Sequence, residues 1–213
     1  MGNTYYIIRH GQTVWNTLGK TQGHGNSDLT ESGVAQAKDL AESLADEGID
    51  FIYSSNLGRA VQTAKAIGDR IGKKVIPTEY LREMGFGVWE GKLIPEIEAE
   101  YGDMFKTWRN EPHKVDIIEG ENLHIVKERV DAFIDALNKK YDNKKIVLVT
   151  HSMTARVMLL SFLNSGMENI YRIRQSNTAL NVVKFESYGP VIIKMNDTTH
   201  IKTKSVVLNS ALE

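Results

Sequence analysis

Strand–helix alternation along most of the chain predicts an α/β sandwich with a mostly parallel central sheet. Two further observations agree. The run KIVLVT at 145–150 is apolar without a break, as in a strand covered on both faces. The stretch 82–121 holds Gly85, Gly87, Gly91, Pro95, Gly102, Pro112 and Gly120 with Trp89 and Trp108, and it interrupts the alternation. It reads as a partly helical insertion lying over the sheet.

The elements follow in order. Residues 4–9 form an apolar, β-prone run that ends on Arg9, His10 and Gly11. Residues 30–46 predict a helix: Thr30 suits the N-cap, Val34, Ala37, Ala41 and Leu44 share a face, and Gly48 suits the stop. DFIYSS at 50–55 is a short strand. Ser54, Ser55 and Asn56 then offer caps for a helix from Leu57 to about Arg70, with Leu57, Ala60, Val61, Ala64 and Ile67 as its stripe and Gly72 ending it. KKVIP is a short strand. The clearest amphipathic helix is 122–141, where Leu123, Val126, Val130, Phe133, Ile134, Leu137 and Tyr141 recur at helical spacing. After the 145–150 strand, residues 152–163 are expected to be helical. TALNVVKFE and PVIIKM, separated by Ser187–Gly189, suggest a hairpin. The last ten or so residues carry no pattern and are expected to fray.

Composition bounds the function. The 213 residues, 41% hydrophobic, suit one globular domain spanning 1–213. The net charge of −1 lacks the basic excess of a sequence-independent nucleic-acid binder. The absence of cysteine excludes a disulfide scaffold, a thiolate nucleophile and Cys-based zinc sites. No apolar run has the length of a membrane span, and no signal peptide is evident, so a cytoplasmic location is expected.

The chemistry gathers at strand ends. In open α/β sheets ligands bind beyond the carboxyl ends of the strands. Three strands end there in Arg9-His10-Gly11, in Ser54-Ser55-Asn56 with Arg59 one turn on, and in Thr150-His151-Ser152. Two arginines, two histidines and several helix N-termini on one edge are what a phosphate dianion requires. Taken singly, each of these side chains reads as a solvated charge or a hydrogen-bonded structural residue. Their joint placement carries the reading. A metal held by the two histidines is disfavoured, because no carboxylates stand at ligand spacing and an arginine adjoins His10. No serine elbow and no glycine-rich phosphate loop are present, so a nucleophile, if there is one, is a histidine.

RHGQTVWN, GNSDLTESGVAQA, SSNLGRAVQTA, EMGFGVWEG and VTHSMTAR, in that order from about Tyr5 to Arg156, resemble the histidine phosphatase superfamily, also called phosphoglycerate mutase-like. The resemblance implies a three-layer α/β/α fold and phosphoryl transfer through a phosphohistidine. It implies that His10 is the nucleophile, that Arg9, Arg59 and His151 surround the transferred group, and that Glu83 is the general acid and then the base. Asn16, Gln22 and Gly23 would line the pocket, with Ser152 at its edge. The partner implied is a small phosphorylated substrate, with no metal, no cofactor, no nucleic acid and no membrane; a homodimer is left open.

Phosphatase and mutase share such a site. Mutases of this family usually follow the catalytic Glu with an R-x-Y-G-x-L-Q-G-like run and carry two adjacent arginines. This chain has EMGFGVWEG and a single arginine in Trp108-Arg109-Asn110, the form typical of the phosphatase branch. The phosphatase reading is therefore preferred over a cofactor-dependent phosphoglycerate mutase and over a non-catalytic phosphate-binding module. Where relatives often have GES and HGG or HGN, this chain has GEN at 120–122 and HSM at 151–153, which is expected to place Ser152 and Met153 side chains on the pocket wall. Lys92, Arg109 and Lys114 are read as solvated charges that could reach an acidic substrate.

Overall fold

A computed structural model of the protein describes residues 2–202. The C-terminal stretch expected to fray lies largely outside them. Six strands form one sheet: β1 (Thr4–Arg9), β2 (Phe51–Ser55), β3 (Val75–Thr78), β4 (Lys145–Thr150), β5 (Leu180–Glu186) and β6 (Gly189–Asp197). Their order is β3-β2-β4-β1-β5-β6. The first four run parallel, and β5 and β6 add an antiparallel edge built as the expected hairpin.

Period-2 alternation sends each strand's side chains to two cores. Tyr5, Ile7, Ile146 and Leu148 join a cluster with α4 (Ile94–Asn110), α5 (Leu123–Lys140) and α6 (Ser152–Phe162). Tyr6, Ile8, Val147 and Val149 face α2 (Glu31–Ser43) and α3 (Gly58–Ile71). Both faces of the central strands are thus covered, the three-layer arrangement anticipated. No helix among the described residues is long and apolar enough to cross a membrane.

The insertion shares the first of these cores. Trp89 and Trp108 are fully buried and meet edge to face at 5.9 Å, a geometry that adds about 1 kcal/mol to the area they bury. Their rings anchor the residues around Glu83 to α5 and α6.

Three local expectations change. Helix α2 stops at Ser43 rather than 46, with Leu44–Asp46 in a turn. Val34 lies at the margin of its stripe and is 42% exposed. A short helix not foreseen, α1 (Val14–Leu18), starts from a capping box: Thr13 Oγ1 accepts the Asn16 N–H, and Asn16 Oδ1 accepts the Thr13 N–H.

Candidate active site

Strand order places the three polar strand ends side by side. β2, β4 and β1 are neighbours, and Arg9 pairs in register with Thr150. Beyond them Arg9, His10, Asn16, Gln22, Gly23, Arg59, Glu83 and Ser152 line one pocket. His151 is not on its wall. It lies fully buried against His10, with ring centroids 5.1 Å apart. The pocket's other lining residues, Lys20, Thr21 and Phe86, were not singled out in the sequence.

The His10 ring is oriented from two sides. Nδ1 stands 2.8 Å from the Gly11 carbonyl oxygen, to which its N–H donates. Arg59 Nε–H points at Nε2 from 3.3 Å. An N–H donor there requires a lone pair on Nε2, so both contacts select the same tautomer. A glycine follows because the backbones crowd: a Cβ on Gly11 would sit 2.6 Å from the Gly33 carbonyl oxygen.

Arg59, in the first turn of α3, is 1% exposed. Its Nη1 and Nη2 donate to the Gly25 and Gly23 carbonyl oxygens, each at 2.7 Å. Burial pushes this guanidinium down to about 10, with Arg9 acting in the same sense and Glu83 against it; it is a cation at neutral pH. The loop that receives it is held by Glu90, whose carboxylate accepts the His24, Gly25 and Phe86 N–H groups at 2.8–3.0 Å. Gly23 has φ +53°, and a Cβ there would strike the Glu90 carboxylate. Arg9 donates to the Gln175 carbonyl oxygen, and the Gln175 and Asn181 amides pair reciprocally at 2.8 and 3.0 Å beneath it.

Glu83 faces the start of α6. Its carboxylate accepts the Met84, Thr154 and Met153 N–H groups at 3.0, 3.1 and 3.3 Å. From behind, Arg129 of α5 donates to the Tyr80 and Arg82 carbonyl oxygens at 2.9 and 3.0 Å and pairs with Glu121 at 3.1 Å. Met153 corrects an expectation: only its backbone N–H faces the site, while its side chain is buried in the α5–α6 core. Lys92 pairs with Glu100, Lys114 pairs with Glu111, and Arg109 lies over the Tyr171 ring; none of them lines the pocket.

His151 Nε2 pairs with Ser55 Oγ at 2.8 Å, and its Nδ1 is buried with no hydrogen-bond partner among the described residues. Burial, and then the charge of Arg59, push both His10 and His151 well below the ordinary histidine range. Both are therefore neutral at pH 7. In the unfolded chain they take up protons near pH 6.5, so acid favours unfolding. Their contribution is intact above about pH 6.5 and is lost as pH falls toward the depressed folded values, with a slope near 1 kcal/mol per pH unit for each. Thermal unfolding midpoints should hold above pH 6.5 and fall below it, and His151→Asn should flatten the acid limb. An acid limb equally steep in that variant would contradict the assignment.

Glu90, Arg129 and Gln175 are the supporting residues that sequence reasoning did not single out, while Ser55 was named there as part of a polar strand end. The first three reach the site through contacts distant in sequence.

Comparison with known proteins bears on this geometry. The sequence profile of the histidine phosphatase superfamily (branch 1) matches residues 5–198. Phosphoserine phosphatase 1 of Hydrogenobacter thermophilus is 35% identical over 195 residues, covering 92% of each chain. The structure of Bacillus stearothermophilus YhfR superposes with a TM-score of 0.90 at 25% identity, covering 94% of this chain and 100% of that one. The Entamoeba histolytica phosphoserine phosphatase in complex with 3-phosphoglyceric acid gives 0.83 at 30% identity over 93% and 99%. The profile match and the one-third identity to a relative of the same length establish that the chain belongs to the histidine phosphatase superfamily.

Proposed function

We propose that the protein is a metal-independent phosphatase that hydrolyses small phosphomonoesters through a phosphohistidine on His10. The observation that carries this reading is the His10 ring, with Nδ1–H committed to Gly11 and the Nε2 lone pair presented beside two buried arginines.

The steps balance. Nε2 attacks phosphorus in line, the ester P–O bond breaks, and Glu83 gives its proton to the leaving oxygen. The charge left on the imidazole ring is shared with Nδ1–H and its Gly11 acceptor. Arg9 and Arg59 hold the equatorial oxygens, where stabilising charge is the main task of phosphoryl transfer. His151, neutral and buried against the His10 ring, adds no competing charge beside it. Water then attacks phosphorus, Glu83 takes its proton, the P–N bond breaks and His10 is restored.

Support for metal independence comes from the donor set: among the described residues no three His, Asp or Glu side chains are grouped to hold a metal ion. The small pocket and the phosphoserine phosphatase relatives favour a small phosphomonoester over a protein substrate.

Phosphorus NMR tests this. Protein pretreated with chelator is given 3-phosphoglycerate, a trace of 2,3-bisphosphoglycerate, and separately a panel of small phosphomonoesters. Release of inorganic phosphate at the rate of untreated protein is expected. Growth of 2-phosphoglycerate without inorganic phosphate would make the protein a mutase, and loss of turnover in chelator would overturn metal independence.

A further inference from the structure

Asn16 lines the pocket with a side-chain amide whose two ends differ in kind. Its Oδ1 end is committed to the protein. Thr13 N–H reaches it at 3.0 Å, Thr13 Oγ1 at 3.1 Å and Asn177 Nδ2 at 3.3 Å. A backbone N–H and an amide NH2 can only donate, so the atom they meet is the acceptor oxygen. None of these contacts uses Nδ2, which is left to face the pocket.

Asn177 lies just before β5 and is buried. Its Nδ2 also donates to the His10 carbonyl oxygen, at 3.2 Å. One NH2 group thus spans the main chain of the nucleophile and the amide of Asn16. The His10 carbonyl oxygen takes a second donor, Thr178 N–H, at 3.3 Å. On the other side of the same peptide, Gly11 N–H donates to Thr63 Oγ1 at 3.0 Å. The peptide joining His10 to Gly11 is therefore held at its oxygen and at its nitrogen. The next carbonyl along, that of Gly11, is the acceptor that orients the His10 ring.

Backbone strain marks the same turn. Thr178 has φ +53°, a region that a β-branched residue seldom enters. Its Oγ1 donates to the Asn177 carbonyl oxygen at 2.8 Å, and His200 Nε2 stands 3.3 Å from that hydroxyl. Such a conformation persists only where the surroundings over-determine it, and residues of this kind cluster at active sites. Here the strained residue sets Asn177 against His10.

We propose that Asn177 is a positioning residue: its NH2 group ties the nucleophile to Asn16, so that Asn16 presents its own NH2 to the oxygens of the transferred phosphoryl group. Nucleophile and donor are then fixed relative to each other by one side chain. If Asn177 is lost, the His10 carbonyl oxygen keeps the Thr178 donor, so the effect should fall chiefly on Asn16.

This inference rests on the phosphatase reading, which hydrolysis of nitrophenyl phosphate by the unaltered protein tests separately. Values of kcat/KM for that substrate, and the Kd of inorganic phosphate by calorimetry, are measured for Asn177→Ala, Asn16→Ala, the double variant and Asn16→Asp. Asn177→Ala should lower kcat/KM by about tenfold or more alone, but by about threefold or less in the Asn16→Ala background. A merely structural role would cost the same factor in both. Asn16→Asp keeps the acceptor for Thr13 and Asn177 and puts an oxygen where Nδ2 stood. It should bind phosphate more weakly than Asn16→Ala, although it is closer in shape to the native residue. Thermal midpoints report folding, and if Asn177→Ala does not fold, Asn177→Asp takes its place in the cycle. A silent Asn177 variant, equal factors in both backgrounds, or phosphate held by Asn16→Asp as tightly as by the unaltered protein would overturn the proposal. No hydrolysis by the unaltered protein would overturn the phosphatase reading, while the phosphate affinities would still test the positioning of Asn16.

Discussion

His10→Ala should reduce phosphate release from every substrate to the background rate, a loss of about 10⁴-fold or more, because no other group can take the phosphoryl group. The variant should still fold. The deleted ring makes one backbone hydrogen bond, one contact to Arg59 and one ring contact with His151, while Arg59 stays anchored on the Gly23 and Gly25 carbonyl oxygens. With Arg9 and Arg59 in place, inorganic phosphate should still bind. Binding by calorimetry alongside absent turnover would separate the nucleophile from the anion site. Turnover retained in a folded His10→Ala protein would remove His10 from the chemistry.

Glu83→Gln should have the next largest effect, and its size should depend on the leaving group. For alkyl phosphates the departing oxygen needs a proton, and loss of the acid should cost about 10²- to 10⁴-fold. A nitrophenolate departs without one, so phosphorylation of His10 by nitrophenyl phosphate should be nearly spared. Attack by water still requires the base, and the second step should become limiting. The amide keeps an acceptor for the Met84 and Thr154 N–H groups but turns a donor toward Met153 N–H, at a cost of about 1 kcal/mol. Equal losses on alkyl and aryl substrates, measured by steady-state kinetics, would argue against Glu83 as the acid.

Much of the architecture was legible because it is written in periodicity. The unbroken KIVLVT run placed a strand at the centre of a covered sheet, and the stripes over 57–70 and 122–141 placed two helices within a residue or two of their ends. That Arg9, His10, Arg59 and His151 come together was legible from position alone, since a parallel sheet collects its strand ends on one edge. Glu83 was not. Among 27 acidic residues nothing local marks it, and only the resemblance singled it out. What holds it is remote: the amides opening α6 and the Arg129 clamp from α5. Met153 was misplaced because the departure from the HGG or HGN of relatives was read as putting its side chain on the pocket wall, whereas the first turn of α6 directs its backbone to Glu83 and its side chain to the core. Lys20 escaped notice because a lone lysine in a glycine-containing loop has no pattern. Its exposure to the pocket is set by backbone pairing with residues 91–93.

The central claim is the covalent intermediate, and Glu83→Gln makes it observable. The variant is mixed with nitrophenyl phosphate and quenched in base, where phosphohistidine survives, and is then mapped by mass spectrometry. A burst of nitrophenolate equal to the enzyme present, with one phosphoryl group on the peptide carrying His10, is the expected result. Nitrophenolate release with no phosphoenzyme, or a phosphoryl group on any residue other than His10, would contradict the account.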